Sequence, residues 1–321
     1  MQEDRLRAER RLNLGLALAD EGDFAAASDA MTEACALAPD WADAHFALGE
    51  TFEKLGRTRE AENAYRACLK SDPQDRMGAK IRLGLMGAAP VPSRLPPAYV
   101  EALFDQEARR FDKKMLDGLQ YRGPDHMARA IERIAPDLAP PVRALDLGCG
   151  TGLGGRAMRL VAAELHGMDV SSGMLAQAAA TGLYDRVVQA DLLTAAWTEP
   201  DKAYHLIAAT DVLNYIGDLA PVFRMAAEAL EPGGFFVFTV EAGNRQDIDL
   251  GEGHRYRHAL ARLRPWIAAA LLDIVAVDRC VLRQEKGRPV QGMVLTLRKP
   301  DRLNERPVTP ARNRGGARNP V

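Results

Sequence analysis

The chain has 321 residues, room for about two domains. Its 42 Lys and Arg against 44 Asp and Glu give a net charge of −2, which implies no large basic surface for nucleic acid, and none is expected as a partner. The four cysteines, at 35, 68, 149 and 280, form no Cys-x-x-Cys pair, which fits a reduced cytoplasm. The opening Met1-Gln-Glu-Asp-Arg-Leu-Arg is charged from the start and does not read as a signal peptide. The most apolar window, residues 266–277, is broken by Asp273 and too short to span a membrane. The expectation is a soluble, cytoplasmic protein without membrane contact.

Residues 1–87 carry an internal repeat. Leu14-Gly15 recurs as Leu48-Gly49, Gly22 as Gly56, Ala27 as Ala61 and Pro39 as Pro73, each at an offset of 34. That period resembles the tetratricopeptide repeat (TPR), a pair of antiparallel helices. Small residues at 15/49 and 27/61 let two helices approach closely. Gly22 and Gly56 make the turns, and each Pro ends a second helix. Met31/Tyr65 and Leu18/Phe52 supply the bulk between helices, and residues 77–86 read as a capping helix. Two repeats and a cap lie near the lower limit for a stable stack, so this unit is expected to lean on a neighbour or on a second copy of itself.

A Pro-rich stretch, residues 88–97, reads as a stiff linker that stops helix. Beyond it the pattern becomes α/β. Ala144-Leu-Asp-Leu-Gly-Cys-Gly-Thr-Gly152 runs an apolar strand into glycines at 148, 150 and 152, followed by a helix-forming run. Glycine accepts positive φ and lets a ligand approach bare backbone, so this is a nucleotide-cofactor loop on an α/β sheet. Gly150-Thr-Gly152-Leu-Gly-Gly155 also satisfies the dinucleotide fingerprint, weak evidence when alone.

The downstream pattern separates the two cofactors. His166-Gly-Met-Asp169 ends a second strand with a carboxylate suited to ribose hydroxyls, a feature NAD enzymes share. Val187-Val-Gln-Ala-Asp191-Leu192 ends a third strand with another acid. Glu231-Pro-Gly-Gly-Phe-Phe-Val-Phe-Thr-Val240 is a turn into a buried strand. Residues 274–285 and 291–299, around Lys286-Gly-Arg-Pro289, read as a β-hairpin. In order and spacing this set resembles the class I S-adenosylmethionine (SAM) methyltransferases over residues 98–300. The resemblance implies an α/β fold with a seven-stranded, mostly parallel Rossmann-like sheet. With the repeats ahead of it, the whole chain resembles the predicted TPR-repeat methyltransferases of bacteria. Phe104-Asp-Gln-Glu-Ala-Arg-Arg-Phe-Asp112 and Leu119-Gln-Tyr-Arg-Gly-Pro124 are similar to that group's N-terminal helix over the cofactor pocket. Gly251-Glu-Gly-His-Arg-Tyr-Arg-His258 is similar to its substrate-side segment after the fifth strand. One departure is His205, where the family usually has Asp opening the fourth strand.

The resemblance assigns roles by position. Asp146 orients the methionine amino end of SAM, and Gly148, Cys149, Gly150 and Gly152 form the loop beneath ribose and methionine. Asp169 accepts from both ribose hydroxyls, Asp191 from the adenine amino group, and the Leu192 backbone NH pairs with the ring. Asp211 closes the fourth strand beside the transferring methyl.

Positioning alone supplies much of such a transfer, on the order of 7–11 kcal/mol in favourable cases. A general base is needed only for a protonated acceptor. His258 heads the candidates, with Tyr256, Tyr215 and Asp112 behind it and Asp211 near the methyl. His254 and His258, four apart, have the spacing of two metal ligands on a helix, but no third ligand group stands out and no metal is expected. Arg255, Arg257 and Arg264 suit an anionic acceptor or a solvated face. Cys149 also reads as a small buried thiol. The Arg-rich residues 301–321 have too little apolar content to pack and are expected to be disordered.

The expected activity is methyl transfer to an O, N or C acceptor, a small anionic metabolite first. The alternatives are a protein methyltransferase that docks its target on the TPR unit, and a SAM-binding scaffold without turnover. With the metabolite acceptor, the TPR unit is expected to serve self-association, a homo-oligomer, or tethering.

Overall fold

The structure, a computed structural model, describes residues 2–197, 203–244, 249–251 and 253–301. The Arg-rich tail therefore lies, from residue 302 onward, outside the described residues.

Helices α1 (Gln2–Asp20), α2 (Phe24–Leu37), α3 (Ala42–Lys54) and α4 (Thr58–Ser71) pack in sequence as two hairpin pairs, with α5 (Ala79–Leu85) against α4. The 34-residue pattern has a direct steric cause. A Cβ on Gly15 would stand 2.6 Å from Met31 Cγ, and one on Gly49 2.6 Å from Tyr65 Cε1. Gly22 and Gly56 turn the chain at φ of +86° and +71°. Met31, Phe52 and Tyr65 are buried between the helices, and Leu18 is half-buried. The cap begins later than the expected residue 77 because Gly78 takes φ +82°, and the buried Asp75 carboxylate accepts from Ala79 N (2.6 Å) and Lys80 N (3.1 Å).

The linker is not a free spacer. Ser93 O accepts from Gly217 N (2.7 Å) and Asp218 N (3.0 Å), and Leu95 N donates to Tyr215 O (2.9 Å). Arg94 forms an antiparallel bridge with Ile216. Ile81 of α5 is buried with Leu95, Tyr215 and Tyr256, so the capping helix shares an apolar cluster with the second unit.

That unit contains β1 (Arg143–Leu147), β2 (Glu164–Asp169), β3 (Arg186–Gln189), β4 (Tyr204–Ala209) and β5 (Leu230–Ala242), then β6 (Asp249–Leu250), β7 (Tyr256–His258), β8 (Asp273–Glu285) and β9 (Arg288–Arg298). Seven of them run in the order β3-β2-β1-β4-β5-β9-β8, parallel except for β9, which is antiparallel to both neighbours. The sheet has nine strands among the described residues, two more than expected. The additions are short: β7 pairs parallel with Glu241 and Ala242 beyond the end of β4, and β6 folds back on β7. The β8–β9 turn is tighter than the expected Lys286–Pro289. Lys286 and Gly287 both take positive φ (49° and 72°), the two-residue turn that matches strand twist, and Pro289 already pairs with Gln284.

Successive strand residues face opposite sides, which splits the core in two. Leu145, Leu147, Ile207, Phe236 and Phe238 meet Phe223 of α11 (Ala220–Ala229) and Leu263 and Ile267 of α12 (Leu260–Ala269). Their neighbours Ala144, Leu206, Ala208, Phe235 and Val237 meet Met127 and Ile131 of α8 (Gly123–Ile134) and Met158 of α9 (Gly155–Arg159). Two faces covered by helices leave the carboxyl ends of β1, β2, β4 and β5 as the place for a ligand. Helix α6 (Pro97–Glu107) and the short α7 (Phe111–Lys113) cross those ends, and α10 (Ser172–Ala180) follows β2. His205 is structural: its Nδ1 accepts from Arg143 N (3.1 Å) at the start of β4.

Candidate cofactor and acceptor site

The carboxyl ends of the strands surround a cavity lined by the glycine loop, the strand-end acids and the helices that cross them. The glycine loop forms its floor, with φ of +61° at Gly148, +54° at Gly150 and +96° at Gly152. A Cβ at Gly148 would strike Val212 Cγ2 at 2.2 Å, whereas one at Gly150 would meet nothing within 4 Å. Gly150 thus presents bare backbone to open space. Gly155, the last glycine of the dinucleotide-like fingerprint, has another cause. Its Cβ would lie 2.2 Å from Tyr184 Oη, so the glycine makes room for a tyrosine.

That tyrosine holds Asp146. Tyr184 Oη donates to Asp146 Oδ2 at 2.7 Å. Burial, with Asp169 adding to it, pushes the Asp146 carboxyl up to about 7, and the Tyr184 hydrogen bond opposes the rise. Asp169 accepts from Gly150 N through Oδ2 and from Ser171 N through Oδ1, both at 2.9 Å. Burial raises its pKa against those bonds. The carboxylate lines the cavity, where an external hydroxyl can reach it. Asp191 accepts from Leu193 N (3.0 Å) and is ion-paired to Arg94. Leu192 lines the cavity beside it, as does the buried Cys149, whose thiol burial pushes well above its ordinary range. Thr210 Oγ1 is buried, has no protein partner and also belongs to the cavity wall. An open backbone cradle, three acids and an orphaned hydroxyl fit a ribosyl cofactor with an amino end.

The roof comes from the N-terminal helices. Phe104 and Phe111 contact edge to face and line the cavity. Thr151 Oγ1 donates to Asp112 Oδ1 (2.5 Å), and Asp105 Oδ1 accepts from Ser171 Oγ (2.6 Å) and Gly173 N (2.9 Å). Asp112 is therefore a tether between roof and glycine loop.

At the far end stand Tyr215, Tyr121 and Arg255. Arg255 Nε donates to Tyr215 Oη at 3.4 Å, and its ion pairs with Glu285 (3.5 Å) and Glu241 (3.9 Å) are long. Burial raises the Tyr215 phenol, with Arg255 opposing, so Tyr215 stays protonated near neutral pH. Asp211, at φ +60°, is part-buried, receives Asn214 Nδ2 and faces Arg283. Burial raises its carboxyl and Arg283 opposes the rise.

Two candidate bases do not reach the cavity. His258 is buried under Ile216, with Nε2 at 3.0 Å from its carbonyl, and burial lowers its pKa to about 4. Tyr256 Oη donates to Pro92 O at 2.7 Å and is fully buried. Both anchor the linker region rather than face a ligand. The supposed helix through His254 and His258 is a turn leading into β7, and His254 Nδ1 meets Tyr99 Oη at 2.8 Å. No group of three potential metal ligands occurs among the described residues. Of the three arginines, Arg255 alone lines the cavity; Arg257 pairs with Asp249 (2.9 Å) and Arg264 is exposed. Sequence reasoning missed Arg94, Tyr184, Thr210 and Arg283. Of these, only Tyr184 had a local signal, standing a few residues before the third strand.

The methyltransferase domain family matches residues 119–276, and the tetratricopeptide repeat family matches residues 18–82. A demethylmenaquinone methyltransferase of Parafrankia sp. is 40% identical over 82 residues, 26% of this chain and 32% of the relative. Trans-aconitate 2-methyltransferase of Methylobacterium radiotolerans is 37% identical over 134 residues, 41% of this chain and 48% of the relative. Malonyl-[acyl-carrier protein] O-methyltransferase of Halorhodospira halophila is 31% identical over 144 residues, 43% of this chain and 46% of the relative. The chain thus spans less than half the length of these relatives. The chain carries a methyltransferase domain with a tetratricopeptide-repeat unit ahead of it.

Proposed function

We propose that the protein transfers the methyl group of SAM to a small acceptor bearing a carboxylate. The observation that carries this reading is Arg255, long-paired and placed with Tyr215 in the wall of the same cavity that Asp146, Asp169 and Asp191 line. When bound, SAM supplies a methyl carbon made electrophilic by its sulfonium. The chain's own residues bind and orient. Asp169 takes the ribose hydroxyls, Asp146 in its ionised form faces the amino end, and Phe104 and Phe111 exclude water.

The acceptor end supports an acceptor that is already deprotonated. His258 is outside the cavity, Asp211 is engaged by Arg283, and Tyr215 is held in its protonated form. None of these is a free base, and a carboxylate oxygen needs none. Arg255, only loosely paired, presents a guanidinium whose fork suits a carboxylate. Two of the relatives are named for acceptors with carboxylate groups, trans-aconitate and malonyl-acyl-carrier protein, which supports the same class.

The test is incubation of the protein with methyl-labelled SAM and cell extract, followed by separation by size. Base-labile label in the small-molecule fraction supports methyl-ester formation. Label in macromolecules instead would replace this reading with a protein target. SAM binding with no label in either fraction would point to a scaffold.

A further inference from the structure

Arg94 belongs to the linker, outside the matched methyltransferase domain, yet it reaches the cavity. Its Nη1 stands 2.8 Å from Asp191 Oδ2 and 3.1 Å from Oδ1, across 97 residues of sequence. The backbone on either side is pinned: Ser93 O accepts from Gly217 N and Asp218 N, and Leu95 N donates to Tyr215 O. Leu95 is also buried against Ile81 of the TPR cap. The guanidinium thus hangs from a fixed strap, part-buried at the cavity wall.

This arrangement leaves Asp191 little acceptor capacity. A carboxylate offers about four lone-pair directions. Leu193 N and Arg94 Nη1 occupy those of Oδ1, and Arg94 occupies one on Oδ2. One direction on Oδ2 remains, enough for one external N–H.

We propose that Arg94 is a positioning residue that aims the Asp191 carboxylate so that it reads a single exocyclic amino group on the base of the bound nucleoside. The linker, held through Leu95 against Ile81 of the TPR cap, thereby becomes part of the cofactor site. This inference rests on the SAM reading above. A ligand with an oxo group in place of the amine would set oxygen against the free lone pair and be rejected. Without Arg94 the carboxylate turns toward solvent and loses that selectivity.

The experiment is calorimetric titration of the full chain with S-adenosylhomocysteine and with its deaminated counterpart, S-inosylhomocysteine. Wild type is expected to favour the amino form by about tenfold or more, the usual penalty for an unmet hydrogen bond at a charged group. Arg94→Ala should reduce that ratio to near unity. Arg94→Lys, whose ammonium can also bridge both oxygens from one nitrogen, should restore most of it. A ratio unchanged in Arg94→Ala, or equal losses for both ligands, overturns the proposal and leaves SAM binding standing. If wild type binds neither ligand, the SAM reading fails and takes this proposal with it.

Discussion

Arg283 and Asp211 lie 72 residues apart and form an ion pair with Nη1 3.4 Å from Oδ1, beneath the acceptor end of the cavity. The arginine is wholly buried, and its Nη2 binds Glu241. Removing one partner of such a cluster leaves buried charge uncompensated. Arg283→Met is therefore expected to lower stability by about 3–5 kcal/mol. Urea unfolding measures it, and a loss below about 1 kcal/mol would mean that water reaches this cluster.

Asp146 gives the site a pH dependence. Its ordinary value is 3.8 and burial raises it to about 7 in the fold. A carboxyl raised in the native state stabilises the fold fully below the unfolded pKa, and that contribution is lost as pH rises through about 7. Cofactor affinity runs the other way, because the amino end of SAM needs the ionised form. Affinity for S-adenosylhomocysteine should climb between pH 6 and about 8. Tyr184→Phe removes the bond that opposes the rise, so its midpoint should move upward. A midpoint that stays in place in the variant would detach Tyr184 from this role.

Asp169 ties the glycine loop to the ribose end. Asp169→Ala removes the acceptor for Gly150 N and the carboxylate for the hydroxyls. The expected weakening of SAM binding is about 1.5–3 kcal/mol. Equilibrium dialysis with labelled SAM reads it directly; unaltered affinity would falsify the assignment.

In the repeat unit, Gly49→Val drives a side chain into the buried ring of Tyr65. Overpacking of this kind costs roughly 1–3 kcal/mol. A melting curve should show the loss, while Gly22→Ala acts through its positive φ rather than through any clash. Equal stability of Gly49→Val and wild type would contradict the close helix approach.

The glycine loop, the acids closing β1 and β2, the acid after β3 and the 34-residue repeat were legible because each is written in neighbouring residues. Gly148 and Asp146 share one strand end, and Gly15 and Met31 face each other within one helical hairpin. His258 was misplaced for the same reason. Its segment was recognised, but the strand β7 that turns its ring to Ile216 depends on pairing with the end of β5.

Sequence by itself determined the domain types and the glycine turns of the loop after β1, because backbone sterics and apolar periodicity act over a few residues. Tertiary structure alone decided that Arg94 meets Asp191, that Arg283 joins Asp211 to Glu241, and that the linker is strapped to Ile216. These contacts join residues 42 to 122 positions apart in sequence, and no local pattern encodes charge pairing across a folded sheet.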